Sequence, residues 1–238
     1  MILLGTLVNA GAIILGALLG RMLKRIPESM RQTVMQGIAL AVFVLGIKMC
    51  LGSDNFLLVI ISIVLGTVLG EWIGIEKGLN NLGHWLERKV GGSQGSIATG
   101  FITTTLVYCI GAMAVLGALD SGLRNNHEVL FMKALLDGFS AIIFTSTLGI
   151  GVIFSAVPVF LYQGMIALLS TSIYSVVSET MLDAILVEVT AVGGLMIIAI
   201  GLNILEIKQI RVANMMPALV IAAVGVPFID WISKLFSS

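Results

Sequence analysis

Charge is what this sequence has least of. Aspartate, glutamate, lysine and arginine make up 11% of its 238 residues, against about a quarter in a soluble domain. With 58% hydrophobic residues and a mean hydropathy of +1.09, the chain has too little polar surface to cover a water-soluble fold. Lipid must be its solvent. The 13 basic and 13 acidic residues cancel to a formal net charge of zero, so the electrostatic footprint of a nucleic-acid partner is missing. Cysteine is scarce too. Cys50 and Cys109 lie in or at the edge of apolar segments and read as packing, with neither a disulfide framework nor metal-ligand spacing. The two histidines, His84 and His127, fall in loops, so no buried histidine pairs with Ser, Cys or Asp. A phosphate-binding glycine loop of the P-loop type is also absent. No enzyme activity, no cofactor and no ATP drive are expected. The apolar and polar alternation of a membrane β-barrel is lacking as well.

What is present is a series of long apolar runs. A bilayer core about 30 Å thick takes roughly 20 apolar residues per helix, which gives room for about eight spans. The predicted fold is all-α: a polytopic transmembrane helix bundle of about eight helices in two related four-helix halves. Predicted spans cover residues 2–22, 33–51, 56–75, 100–119, 135–157, 159–177, 184–205 and 218–232. The N-terminal run has no basic region before it and is long, so it reads as a retained helix and not as a cleaved signal peptide. Residues 76–90 are the most polar stretch. Leu79, Leu82, Trp85 and Leu86 fall at helical spacing there, the pattern of an amphipathic helix lying in the interface. Gly16-x-x-x-Gly20 in the first span lets a neighbouring backbone approach closely. Glycines offer further packing faces, from which a homo-oligomer is expected.

The halves show in a repeat. Ala12-Ile13-Ile14 and Leu19-Gly20 recur 129 residues later as Ala141-Ile142-Ile143 and Leu148-Gly149, and Gln36-Gly37 recurs 127 residues later as Gln163-Gly164. Residues 1–95 would hold the first repeat's helices 1–3 and the interfacial helix, 96–130 helix 4 and a loop, and 131–238 helices 5–7 and helix 8. The glycine and serine run at 91–96 is the joint. With the N-terminus outside, nine of the lysines and arginines fall on the cytoplasmic side and four outside, as the positive-inside rule prefers. Helices 1 and 5 then run the same way, and the repeats are parallel. If helix 4 dips in and returns, they become inverted.

Certain residues suggest a family. Leu136-Asp137-Gly138-x-x-Ala141, Tyr162-Gln163-Gly164 and the run from Ala191 to Leu219 resemble the YdfK/YqgA-like bacterial membrane proteins, a family of unknown function. The run Gly111 to Gly117 is similar to a further family motif that carries Pro where Ala112 stands here, so a proline kink in helix 4 is in question. The resemblance implies a polytopic inner-membrane protein described as a transporter candidate. It brings no substrate and no site residues.

Candidate site residues come from polar side chains inside apolar runs, which cost a few kcal/mol each unless they face a wet cavity or a partner. Asn9, Asp137 and Glu188 lie on helices 1, 5 and 7, several residues in from the outer surface. At about 1.5 Å per residue they share a layer roughly 5–10 Å deep. Two carboxylates and an amide there could hold a cation or one shared proton. The plainer alternative is that Asp137 and Glu188 are interfacial. Gln36, Gln163 and Asn203 could line an inner mouth or simply bond neighbouring helices, and Ser140 sits one turn from Asp137. Whether a metal binds is not legible. The function expected first is a secondary transporter or permease moving a small solute or cation. A passive channel and a non-transporting scaffold are the alternatives. A saturable flux that responds to a gradient marks the carrier, and unitary currents mark the channel.

Overall fold

The structure is a computed structural model that describes residues 1–22, 28–90 and 96–236. Lys24, Arg25 and Pro27 of the basic turn, and residues 91–95 of the predicted joint, lie outside the described residues. Among those described there is no strand. Ten helices follow in order: α1 Leu4–Met22, α2 Glu28–Cys50, α3 Phe56–Ile73, α4 Ile75–Val90, α5 Ser96–Cys109, α6 Ala112–Arg124, α7 Glu128–Leu148, α8 Ala156–Val176, α9 Glu179–Ile204 and α10 Pro217–Phe236. Short 3-10 segments, Ile150–Ser155 and Val212–Met215, precede α8 and α10. Seven helical segments are long and apolar enough to cross a membrane, or up to eight if the bent pair α5–α6 is one span. The chain is a polytopic helical membrane protein.

Its contacts divide into two compact units, each drawn from both ends of the sequence. The first takes residues 1–35 and 78–173, the second 36–77 and 174–238.

In the first unit α1 lies directly on α7. A Cβ on Gly16 would stand 2.2 Å from the carbonyl oxygen of Gly138, and one on Gly20 2.3 Å from that of Ile142. The small residues therefore let two backbones touch, as the Gly16-x-x-x-Gly20 spacing predicts. Contacts climb both helices together, from Gly5 at Leu130 to Gly16 at Gly138 and Gly20 at Ile142. The two helices run parallel.

The predicted fourth helix is two helices. α5 and α6 meet at 62°, and Gly111 between them has φ +134°, a conformation that a side chain strains. The break thus occurs beside Ala112 without a proline. α5 starts at the C-terminal end of α7, where Ile97 backs onto Gly151 and Gly100 onto Leu148. α6 ends at the N-terminal ends of α1 and α7: Gly117 meets Leu130, and the Ser121 hydroxyl donates to the Ile2 carbonyl at 2.7 Å. The bent pair therefore passes along the whole of α7.

α7 itself starts seven residues before the predicted position. Lys133 and its polar neighbours resemble a loop, yet Glu128 suits the positive end of the helix dipole. Lys133 is held by a partner one turn on, described below. The chain leaves α7 at Gly149, with φ +89°.

In the second unit α2 crosses α9 where Gly46 meets Gly194, and α3 crosses α10 where Gly66 meets Ala218. Val59, Ala191, Val192, Ala218 and Ala222 form a fully buried core. α9 runs unbroken through Gly193-Gly194, and Gly194 serves packing against α2.

Candidate functional site

Four helices of the first unit each send a polar group to one buried cluster. From α7 come Lys133 and Asp137, one turn apart and so on one face. The Lys133 ammonium donates to both oxygens of Asp137, at 2.9 and 2.7 Å. Both residues are buried, at 7% and 6% exposed. From α1 comes Asn9, whose Nδ2 donates to Asp137 Oδ2 at 3.0 Å and to Gln163 Oε1 on α8 at 3.2 Å. α5 supplies Tyr108. Its ring centroid lies 5.9 Å from Lys133 Nζ, and its hydroxyl bonds the Ser140 hydroxyl at 3.3 Å. Ser140 also donates to the Asp137 carbonyl at 3.0 Å.

The cluster lies deep. Asp137 is nine residues from the start of a 21-residue helix, about 13 Å of rise. It therefore lies near the middle of α7 and not at its end. Its electrostatics follow from the charges: Lys133 and Asp137 cancel, so the cluster is neutral overall, as burial in an apolar medium requires.

Two polar atoms in this cluster stay without a hydrogen-bond partner, Asn9 Oδ1 and Gln163 Nε2. Both side chains are fully buried. Their orientation is not arbitrary. A carboxylate only accepts, so Asn9 must turn its NH2 to Asp137. The second hydrogen then selects the oxygen of Gln163. One acceptor and one donor remain unsatisfied at a place where each costs about 1–3 kcal/mol.

The remaining candidates fall elsewhere. Glu188 belongs to the second unit, where the α2–α3 turn takes both of its oxygens. Oε1 accepts from the backbone N–H of Asp54 at 2.9 Å and of Asn55 at 2.8 Å, and Oε2 from the Ser53 hydroxyl at 2.7 Å. Asn203 clamps Ile210 at both backbone atoms, at 2.8 and 2.7 Å, and so closes the turn after α9. Gln36 is exposed on α2, unlike its repeat counterpart Gln163. His84 sits on α4 beside Glu87, not in a loop.

Two members escaped the sequence reading. Lys133 was assigned to a loop, although a cation four residues before a buried aspartate is a readable helical pair. Tyr108 carries no signal in an apolar run. The second unit has a further polar knot at its α3–α10 junction. Glu71 holds Arg211 and Asn214, Asn214 accepts from the Glu76 N–H at 2.7 Å, and Glu76 accepts from the Ala213 N–H at 3.0 Å. Burial pushes the Glu76 carboxyl above the usual range, with Glu71 adding to it and the Ala213 N–H and Arg211 opposing.

Comparison with known proteins adds one decisive observation. The family model described as "Protein of unknown function (DUF554)" matches residues 4–226. The chain belongs to this family. Within it, the chain is 31% identical over 225 residues to "Uncharacterized membrane protein YdfK" of Bacillus subtilis (strain 168), covering 92% of this chain and 94% of that one. It is 30% identical over 227 residues to "Uncharacterized protein YqgA" of Escherichia coli (strain K12), with the same coverage. No solved structure matches. The DUF554 match contains Asn9, Lys133, Asp137 and Gln163.

Proposed function

We propose that this protein is a secondary transporter of the bacterial cytoplasmic membrane, with its solute site at the Asn9–Lys133–Asp137–Gln163 cluster. The observation that carries the reading is the pair of buried atoms without partners, Asn9 Oδ1 and Gln163 Nε2, beside a buried ion pair. A scaffold gains nothing from such groups, because each raises the energy of the folded state. A polar solute that meets them recovers that energy. Charged residues at this depth are in general found on solute and ion pathways.

The fold supports the same reading. α1, α7, the bent α5–α6 pair and α8 surround the cluster, and a carrier binds near the membrane midplane. The course of α5–α6 along the whole of α7 supports reading the pair as one crossing, for eight spans in all. The N-terminus is then outside. Nine basic residues fall inside and three outside, with Lys133 within the membrane. The ordered, hydrogen-bonded cluster favours a carrier over an open channel.

Flux in proteoliposomes tests this. The wild type, given opposed gradients of small polar and ionic solutes, should show a saturable flux. Asp137→Asn should abolish it while the purified protein keeps its helix content. Full flux in folded Asp137→Asn would remove the site from the pathway.

A further inference from the structure

The ion pair also limits what can bind. This inference rests on the transport reading above and asks what the cluster carries. In the described state Lys133 occupies both oxygens of Asp137. A metal cation would need oxygen ligands while lying against an ammonium group. Among the described residues, no group of three or more His, Cys, Asp or Glu could hold a metal ion. A proton needs no coordination shell. A proton arriving at Asp137 changes the charge of the cluster from zero to plus one. An unpaired ammonium in the membrane interior is costly, so the protonated state calls for an anion.

The hydrogen-bond inventory points the same way. A protonated Asp137 donates, so the Asn9 amide can turn, and its oxygen, without a partner in the charged state, accepts that O–H. The turn frees Asn9 Nδ2. Lys133, released from the carboxylate, has three N–H groups, and Gln163 Nε2 already points at no partner. The turn also takes the donor from Gln163 Oε1, but the freed N–H groups outnumber that one acceptor, and donors around a positive charge make an anion site. Among the described residues, the titratable groups that neighbouring helices bring near the pair are a phenol and a thiol. α5 brings Tyr108 and Cys109 within electrostatic reach of Asp137, and Tyr162 of α8 stands near Cys109. Phenol and thiol are ordinarily neutral at physiological pH. α1 and α8 face the pair with the amides of Asn9 and Gln163.

We propose that the cluster binds one proton and one small monovalent anion together, the proton on Asp137 and the anion on Lys133, Gln163 and Asn9. Both cross in the same direction, and no net charge moves. The state without cargo is kept neutral by the Lys133–Asp137 bond.

Infrared titration of the purified protein tests this without requiring transport. The carboxyl band of Asp137 is assigned by its loss in Asp137→Asn, and independently by its shift in Asp137→Glu. Protonation is followed against pH in sodium-free buffer, with chloride, nitrate or pyruvate added separately as the probe. At least one of these three anions should move the midpoint to higher pH. Linkage of one anion to one proton gives up to about one pH unit per tenfold rise in anion above its dissociation constant. Lys133→Met should lose that dependence. A midpoint indifferent to all three anions would overturn the proposal, as would one that sodium drives to lower pH. Anion linkage without flux would instead refute transport and leave the binding site standing. Flux lost in Asp137→Asn without anion linkage would do the reverse.

Discussion

Removing Lys133 alone should damage the protein more than removing the whole ion pair. Lys133 Nζ supplies two of the three hydrogen bonds that reach the Asp137 carboxylate, and Asn9 supplies the third. The two side chains are 8% and 9% exposed, so water cannot screen what is left behind. This is the buried regime, in which deleting one partner costs about 3–5 kcal/mol, and not the surface regime of about 0.2–1 kcal/mol. Lys133→Met should fall in the higher range. Adding Asp137→Asn removes the stranded charge and leaves an amide oxygen to accept from Asn9, so the double variant should recover to within about 1 kcal/mol of the wild type. Protonating the stranded carboxyl also relieves it, so the Lys133→Met loss should shrink as pH falls. Denaturation in detergent micelles with a double-mutant cycle measures all of this. A Lys133→Met cost below about 1 kcal/mol would refute the reasoning, because the pair would then be hydrated. So would a double variant no better than the single one.

Other outcomes follow from the same structure. Gly16→Leu should separate α1 from α7, since even a Cβ meets Gly138 oxygen at 2.2 Å; thermal melting should show a loss of several kcal/mol, in the range of overpacked sites or above. Glu188→Gln should destabilise the protein by about 1–3 kcal/mol, because charged hydrogen bonds to the α2–α3 turn weaken, while flux of the folded protein stays unchanged. Glu76→Gln should raise the melting temperature above neutral pH. A carboxyl pushed up in the folded state favours folding when protonated, so the wild type gains stability as pH falls through its folded value, and the variant should lack that gain.

Much of the fold was legible because membrane helices are written in composition. The span boundaries at 56, 177 and 205 agree with the helices to within a few residues, since each apolar run ends at a Gly, Ser or charged turn. Tertiary pairing was partly legible: Gly16 and Gly20 announce a close neighbour, but not that the neighbour is α7. The break at Gly111 was hidden, because a glycine in a membrane helix is as often a packing contact as a hinge. The site was half visible. Asn9, Asp137 and Gln163 stand out as polar residues in apolar runs. Lys133 did not, because charge near a run's edge resembles a loop until its partner one turn along is counted. Glu188 looked equivalent to Asp137 in sequence. Only the hydrogen bonds from Asp54 and Asn55 distinguish a turn anchor from a member of the cluster.

Whether Asn9, Lys133, Asp137 and Gln163 form one buried polar site that receives a polar guest is decided by a high-resolution electron cryomicroscopy map of the protein in lipid nanodiscs. Lys133 should be closed on Asp137, with density for a bound water or solute within hydrogen-bond reach of Asn9 Oδ1 or Gln163 Nε2. Lys133 extended to the headgroups, with both amides turned into lipid, would contradict it.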